Sequence, residues 1–90
     1  MSAAFEAAAE RIRVEGKAGN SAVTGLSNEK QLELYGLYKQ GSIGDNDTTN
    51  PGMFCMPATS AKWNAWESRK GMSKEEAQQA YIELVEGILS

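Results

Sequence analysis

The sequence predicts an all-α domain built from four helices, and three observations carry that prediction. Apolar residues recur at the three- and four-residue spacing of a helix face in four separate segments. No segment alternates apolar and polar residues convincingly, as a half-buried strand does. The stretches between the periodic segments are rich in Gly, Asn, Asp, Ser or Pro, residues whose backbone preferences interrupt helices. At 90 residues the chain reads as one domain, residues 1–90. A chain of this size buries roughly 64% of its extended surface, enough for a small core without staples.

The first helix is expected over about Ser2 to Glu15. Phe5, Ala8, Ala9 and Ile12 fall on one face, Ser2 can cap the start, and Gly16 can end it. From Gly16 to Leu26 three glycines with Asn20, Ser21 and Thr24 offer little to pack, which reads as an exposed, mobile loop. The second helix begins at Ser27 or Asn28 and runs to about Gln40, with Gly41 as its stop. Leu34, Leu37 and Tyr38 share one side of it, and Tyr35 and Lys39 extend that side round the helix. Gly41 to about Ala58 holds glycines, Asp45, Asn46, Asp47 and two prolines, which exclude a regular element, and Asn50 before Pro51 is pushed toward extended geometry. Its apolar Ile43, Met53, Phe54 and Met56 place the loop over the core. A shorter helix follows from about Thr59 to Arg69 with Trp63 and Trp66, and Gly71 ends it. The last helix opens on the capping box Ser73-Lys74-Glu75-Glu76 and runs to about Leu89. Ala77, Ala80, Tyr81, Leu84, Val85 and Ile88 form its apolar stripe.

Composition excludes several function classes. With no histidine and one cysteine, the chain has no His general base, no zinc cluster and no internal disulfide. Cys55 suits a reducing compartment, so the expected location is cytoplasmic, and it reads as a buried thiol because no histidine stands ready to activate it. No apolar run approaches the roughly 20 residues that span a bilayer, and the N-terminus lacks a secretory pattern. Nine basic against twelve acidic side chains give a net charge of −3, whereas nucleic-acid binders of this size are usually basic. An anionic ligand must therefore be held by a local cluster of cations. The Asp45-Asn46-Asp47 triplet lacks the closing Glu of a calcium loop, and Gly41 and Gly44 are not followed by the Lys-Ser/Thr of a phosphate loop.

Three placements go beyond plain core packing. Tyr35, Tyr38 and Lys39 share one helix face. Two phenols and an ammonium so placed can stack a ring and pair an anion. The same spacing also suits two partly buried tyrosines beside a lysine whose stem covers apolar surface. Lys62 precedes Trp63 and lies one turn before Trp66, a cation that can hold a phosphate or simply stand at the rim of a tryptophan core. Tyr81 carries a hydroxyl into an aliphatic stripe, where it needs a partner, most often the backbone. Arg13 can favour the C-terminal dipole of the first helix or reach an anion.

Taken together, these residues resemble the acyl-CoA-binding protein family. The stretch Leu34-Tyr35-Gly36-Leu37-Tyr38-Lys39-Gln40 with Ile43-Gly44-Asp45 is similar to the family's second-helix signature. Pro51-Gly52-Met53 and Ala61-Lys62-Trp63-Asn64-Ala65-Trp66 resemble its third-helix region, Gly71 to Ala77 with Ala80-Tyr81-Ile82 its fourth, and Phe5, Ala8 and Ala9 its first. The resemblance covers nearly the whole chain, in order. It implies an up-down-down-up four-helix bundle with a shallow bowl for medium- to long-chain acyl-CoA thioesters. Carried over by position, the contacts to the CoA head group are Tyr35, Tyr38, Lys39, Lys62 and Tyr81. Arg13 stands where the family commonly has a basic residue, usually lysine. The two lysines would hold the 3′-phosphate region, an aromatic would face adenine, and apolar groups near Leu32 and Ala61 would line the acyl path.

Three departures stand out. The loop from Gly16 to Leu26 is longer than in short animal members, and a residue is inserted between Pro51 and Lys62. Pro57, Ala58 and Thr59 also stand where the family often has a further lysine, which implies fewer charge contacts or compensation by Lys17. The resemblance implies a carrier that pools acyl-CoA and delivers it to lipid-metabolising enzymes. It would be a monomer touching enzymes or membranes transiently, without nucleic acid, cofactor, metal or stable membrane insertion. A helical interaction module that has lost the ligand is the alternative. A thioesterase is a third reading, disfavoured by the missing histidine.

Overall fold

The computed structural model describes residues 2–48 and 57–90. Its helices are α1 (Ala3–Lys17), α2 (Ser21–Thr24), α3 (Asn28–Ser42), α4 (Pro57–Glu67) and α5 (Lys74–Leu89), with no strand among the described residues. The four long helices are those the periodicity predicts; α2 is a single added turn. The sequence expectations for Asn50, Met53, Phe54, Cys55 and Met56 lie outside the described residues.

Side chains at the helix starts supply the bonds that free backbone N–H groups need. The Ser2 hydroxyl accepts from Phe5 N–H at 3.1 Å and the Ser27 hydroxyl from Lys30 N–H at 3.2 Å. The capping box of α5 is complete, with the Ser73 hydroxyl accepting from Glu76 N–H at 3.0 Å and the Glu76 carboxylate from Ser73 N–H at 3.1 Å. Donation from Ser73 N–H to the carboxylate, and then from the Ser73 side chain, favours the ionised Glu76 and holds its pKa below the usual value.

Contacts at the helix ends give the directions. Ser2 N–H reaches the Gln78 side chain, while Val14 and Leu89 border one shallow recess, so α1 and α5 run parallel. Gln40 at the end of α3 bonds Met72 just before α5, which makes that pair antiparallel. Tyr35 lies beside Lys62 and Lys39 beside Trp66, so α3 and α4 run the same way. The order is up-down-down-up.

Phe5 and Ala8 of α1, Leu34 and Leu37 of α3, and Ala77, Tyr81 and Val85 of α5 form one buried cluster. The flanks of the predicted stripes, Ala9, Ile12, Ala80, Leu84 and Ile88, pack against it half-covered. On the other side of α3, α4 comes in over Gly36. A Cβ there would stand against the Ala65 carbonyl oxygen and 3.0 Å from its carbon, so α3 and α4 touch backbone to backbone only because this position is glycine. Gly36→Ala is expected to force the helices apart, costing about 2 kcal/mol and lowering the melting midpoint by about 10 °C. A thermal melt within about 2 °C of the parent would contradict that packing.

Three sequence expectations need correction. Two helices pass through the glycines expected to end them: α1 continues past Gly16 to Lys17 and α3 through Gly41 to Ser42. At Gly41 the reason is packing, since a Cβ would lie 3.0 Å from both Phe5 and Gln78. The stretch Gly16–Leu26 is not a featureless loop, because Asn20 caps Ala22 N–H at 2.9 Å and starts α2. Ile43 does not lie over the core but is half exposed. In addition, α4 starts at Pro57, a residue suited to a first turn because it has no N–H to satisfy, and ends at Glu67 before the turn that leads to Gly71.

Asp45 has a structural task. Its Oδ1 accepts from the buried Gln40 amide at 2.8 Å and from Gly71 N–H at 2.9 Å, joining the end of α3 to the α4–α5 turn. The Gly71 bond, and then the Gln40 bond, hold its pKa below the usual carboxylate range.

Candidate ligand groove

α1, α2, α3 and α5 leave an open groove of about 780 Å³ between them. Its apolar wall comes from Phe5, Ala9, Ile12, Val23, Leu26 and Leu34, and its polar groups include Arg13, Tyr35, Tyr38 and Tyr81. Four of the residues singled out in the sequence thus meet in one place, drawn from three helices.

The aromatic floor is a triad. The Phe5 ring stacks on Tyr38 with centroids 5.6 Å apart and an interplanar angle of 27°, and meets Tyr81 edge-on at 5.2 Å and 75°. Tyr38 keeps 39% of its surface open, so it offers ring area to a ligand. Tyr81 is buried, and burial, followed by the neighbouring Tyr38, pushes its pKa up to about 12. It is a neutral hydroxyl at any physiological pH. Among the described residues that hydroxyl makes no bond to the backbone, and Tyr81 lines the groove.

The lysines stand beside this floor. Lys39 Nζ lies 5.8 Å from the centre of the Tyr35 ring and 5.5 Å from that of Trp66, and Lys62 Nζ lies 5.6 Å from the Tyr35 ring. Two ammonium groups from different helices therefore converge on one phenol that lines the groove. The ion pairs among the described residues are Arg13–Glu10, Lys30–Glu33 and Lys70–Glu67, and neither Lys39 nor Lys62 takes part in one. In a chain of net charge −3 this is the local cation cluster an anion requires. Trp66 belongs to the structural half of the motif, being buried with its indole N–H on the Gly44 carbonyl at 2.8 Å. Trp63 donates to the Thr48 hydroxyl at 2.9 Å.

Leu32 and Ala61 are not in the main groove. They line a separate shallow depression of about 490 Å³ between α3 and α4, with Ala65, Glu29, Glu33 and Arg69 among its other walls. Leu32 is one turn before Tyr35 on α3, and Ala61 directly precedes Lys62 on α4. Lys17 is not among the groove residues. Val23, Thr24 and Leu26 are, although no motif in the sequence marks them. The available signal was Asn20 as a cap before two aliphatic residues, too short a stretch to show periodicity. Among the described residues no group of three or more His, Cys, Asp or Glu could hold a metal ion, and no helix is long and apolar enough to cross a membrane.

Comparison with known proteins decides the kinship. The family described as "Acyl CoA binding protein" matches residues 2–85. The chain belongs to the acyl-CoA-binding protein family. It is 43% identical over 90 residues to an acyl-CoA-binding protein homolog of Drosophila melanogaster, covering 100% of this chain and 95% of that one. It is 49% identical over 67 residues to acyl-CoA-binding protein homolog 1 of Caenorhabditis elegans, covering 74% and 77%. The crystal structure of Oryza sativa acyl-CoA-binding protein 2 superposes with a TM-score of 0.81 at 40% identity, over 96% of this chain and 85% of that one. The family resemblance drawn from the Tyr35–Tyr38–Lys39 and Lys62–Trp63–Trp66 motifs holds, as does the four-helix fold it implied.

Proposed function

We propose that the chain binds medium- to long-chain acyl-CoA thioesters non-covalently and acts as a monomeric carrier, holding them away from water and passing them to enzymes that use them. The observation that carries this reading is the pair of carboxylate-free lysines at Tyr35, set against an aromatic groove in an acidic protein. Lys39 and Lys62 take phosphate oxygens, the open Tyr38 ring stacks adenine, and Tyr81 donates its hydroxyl. Arg13 adds a third cation at the groove wall. The acyl tail runs past Tyr35 into the depression at Leu32 and Ala61.

Magnitudes support a two-part grip. A tail of about 14 buried carbons contributes at most about 11 kcal/mol at roughly 0.8 kcal/mol per methylene. Charge-assisted bonds to phosphate add about 1.5–3 kcal/mol each. Association costs about 4–15 kcal/mol, so neither half of the ligand is sufficient alone. Displacement assays should therefore rank palmitoyl-CoA at least about a hundredfold above both free CoA and palmitate. Comparable affinity for palmitate and palmitoyl-CoA would sink the two-part grip.

The same reading makes the protein a carrier and not a thioesterase. Thioester cleavage needs an activated nucleophile or water, and the chain has no histidine to serve as base. Glu10, one of the carboxylates in the groove, is already engaged by Arg13. Its cytoplasmic placement belongs to this proposal and rests on the single cysteine.

A further inference from the structure

The three cations in and beside the groove are not equivalent. Lys39 and Lys62 are free of carboxylates, whereas Arg13 is held two-handed by Glu10 one turn earlier on α1. Arg13 Nε donates to Glu10 Oε2 at 3.0 Å and Nη2 donates to Glu10 Oε1, and both residues line the groove. A guanidinium has five N–H donors, and its planar fork fits a carboxylate and a phosphate in the same bidentate way. With the Nε–Nη2 edge taken by Glu10, a phosphate in the groove either displaces the carboxylate or accepts the remaining donors beside a second negative charge.

We propose that Glu10 is a built-in competitor of the ligand's phosphate for Arg13, setting the affinity of the groove below what its cations would otherwise give. The inference rests on the acyl-CoA reading above. The side chains of the pair are 53% and 58% exposed, and an exposed pair is coupled weakly, so exchange of partners is easy. Glu10 therefore trims binding without blocking it. It also gives Arg13 a waiting partner as the phosphate leaves, which speeds release. A carrier must let go of its cargo, and this carboxylate is placed to help it do so.

The test is a cycle of four proteins titrated with palmitoyl-CoA: the parent, Glu10→Gln, Arg13→Gln and the double variant. Glu10→Gln should bind about threefold to fivefold more tightly, with slower dissociation, while the same change in the Arg13→Gln background should alter affinity by less than about twofold. Both side chains are exposed, so melting curves should stay close to the parent's and separate this effect from a structural one. Unchanged or weaker binding by Glu10→Gln, with the parent binding well, would overturn the competitor and leave the carrier reading intact. Tightening that persists fully without Arg13 would overturn it too, since plain repulsion between Glu10 and the ligand would then be the cause. A parent that binds no palmitoyl-CoA would remove the carrier reading itself, and the proposal with it.

Discussion

Lys39→Ala and Lys62→Ala should each weaken palmitoyl-CoA binding about tenfold to a hundredfold, the loss of one charge-assisted phosphate contact apiece. Both ammonium groups lie within 6 Å of the Tyr35 ring, and neither has a carboxylate partner among the described residues, so their charge is available to a ligand. If, as proposed, the two share one anionic group at that ring, their effects should be less than additive in the double variant. Lys70, paired with Glu67 at 3.3 Å and not among the cations at Tyr35, is the control, and Lys70→Ala should change affinity less than twofold. Raising ionic strength should reduce the parent's affinity and close the gap to the lysine variants. If calorimetry found Lys39→Ala and Lys62→Ala binding as the parent does, the cation cluster would have no part in recognition.

Phe5→Ala is expected to cost about 3–5 kcal/mol of stability, a large share of the 5–15 kcal/mol typical of a folded domain. Phe5 is fully buried where α1 meets α3 and α5, and its ring supports both Tyr38 and Tyr81. Removing it opens a cavity under the aromatic floor, so stability and binding should fall together. Urea unfolding measures the first effect, and titration at low temperature, where the variant remains folded, measures the second. A loss below about 1 kcal/mol would mean that the site collapses around the gap and that Phe5 is not the keystone its packing indicates.

The parts of the fold legible in the sequence are those governed by local chemistry. Ser2, Ser27 and Ser73 act as caps because a hydroxyl at a helix start finds the same free N–H groups whatever surrounds it. The stripes of α1, α3 and α5 are read from spacing for the same reason. Glycine is ambiguous. Gly41 has the look of a stop, yet only the approach of Phe5 and Gln78, fixed by tertiary packing, reveals why the helix passes through it. The one-turn α2 was hidden because four residues carry no periodicity, and its use as a groove wall depends on where α1 delivers it. Of the site, the residue types and their order were legible, since the family motifs are contiguous. The Arg13–Glu10 clamp was not, because an i, i+3 pair on an exposed helix face looks the same whether it borders a groove or solvent.

In the proposed binding mode one groove takes the nucleotide end of an acyl-CoA and the separate α3–α4 depression takes its tail. Calorimetric titration of the delipidated protein with palmitoyl-CoA, kept below its micelle concentration, tests this most directly. Saturable one-to-one binding in the nanomolar to micromolar range is expected, shifted to weaker affinity by Lys39→Ala and Lys62→Ala. No heat, together with no displacement of a fluorescent acyl-CoA, would contradict it and would mark the chain as a member of the family that keeps the fold without the ligand.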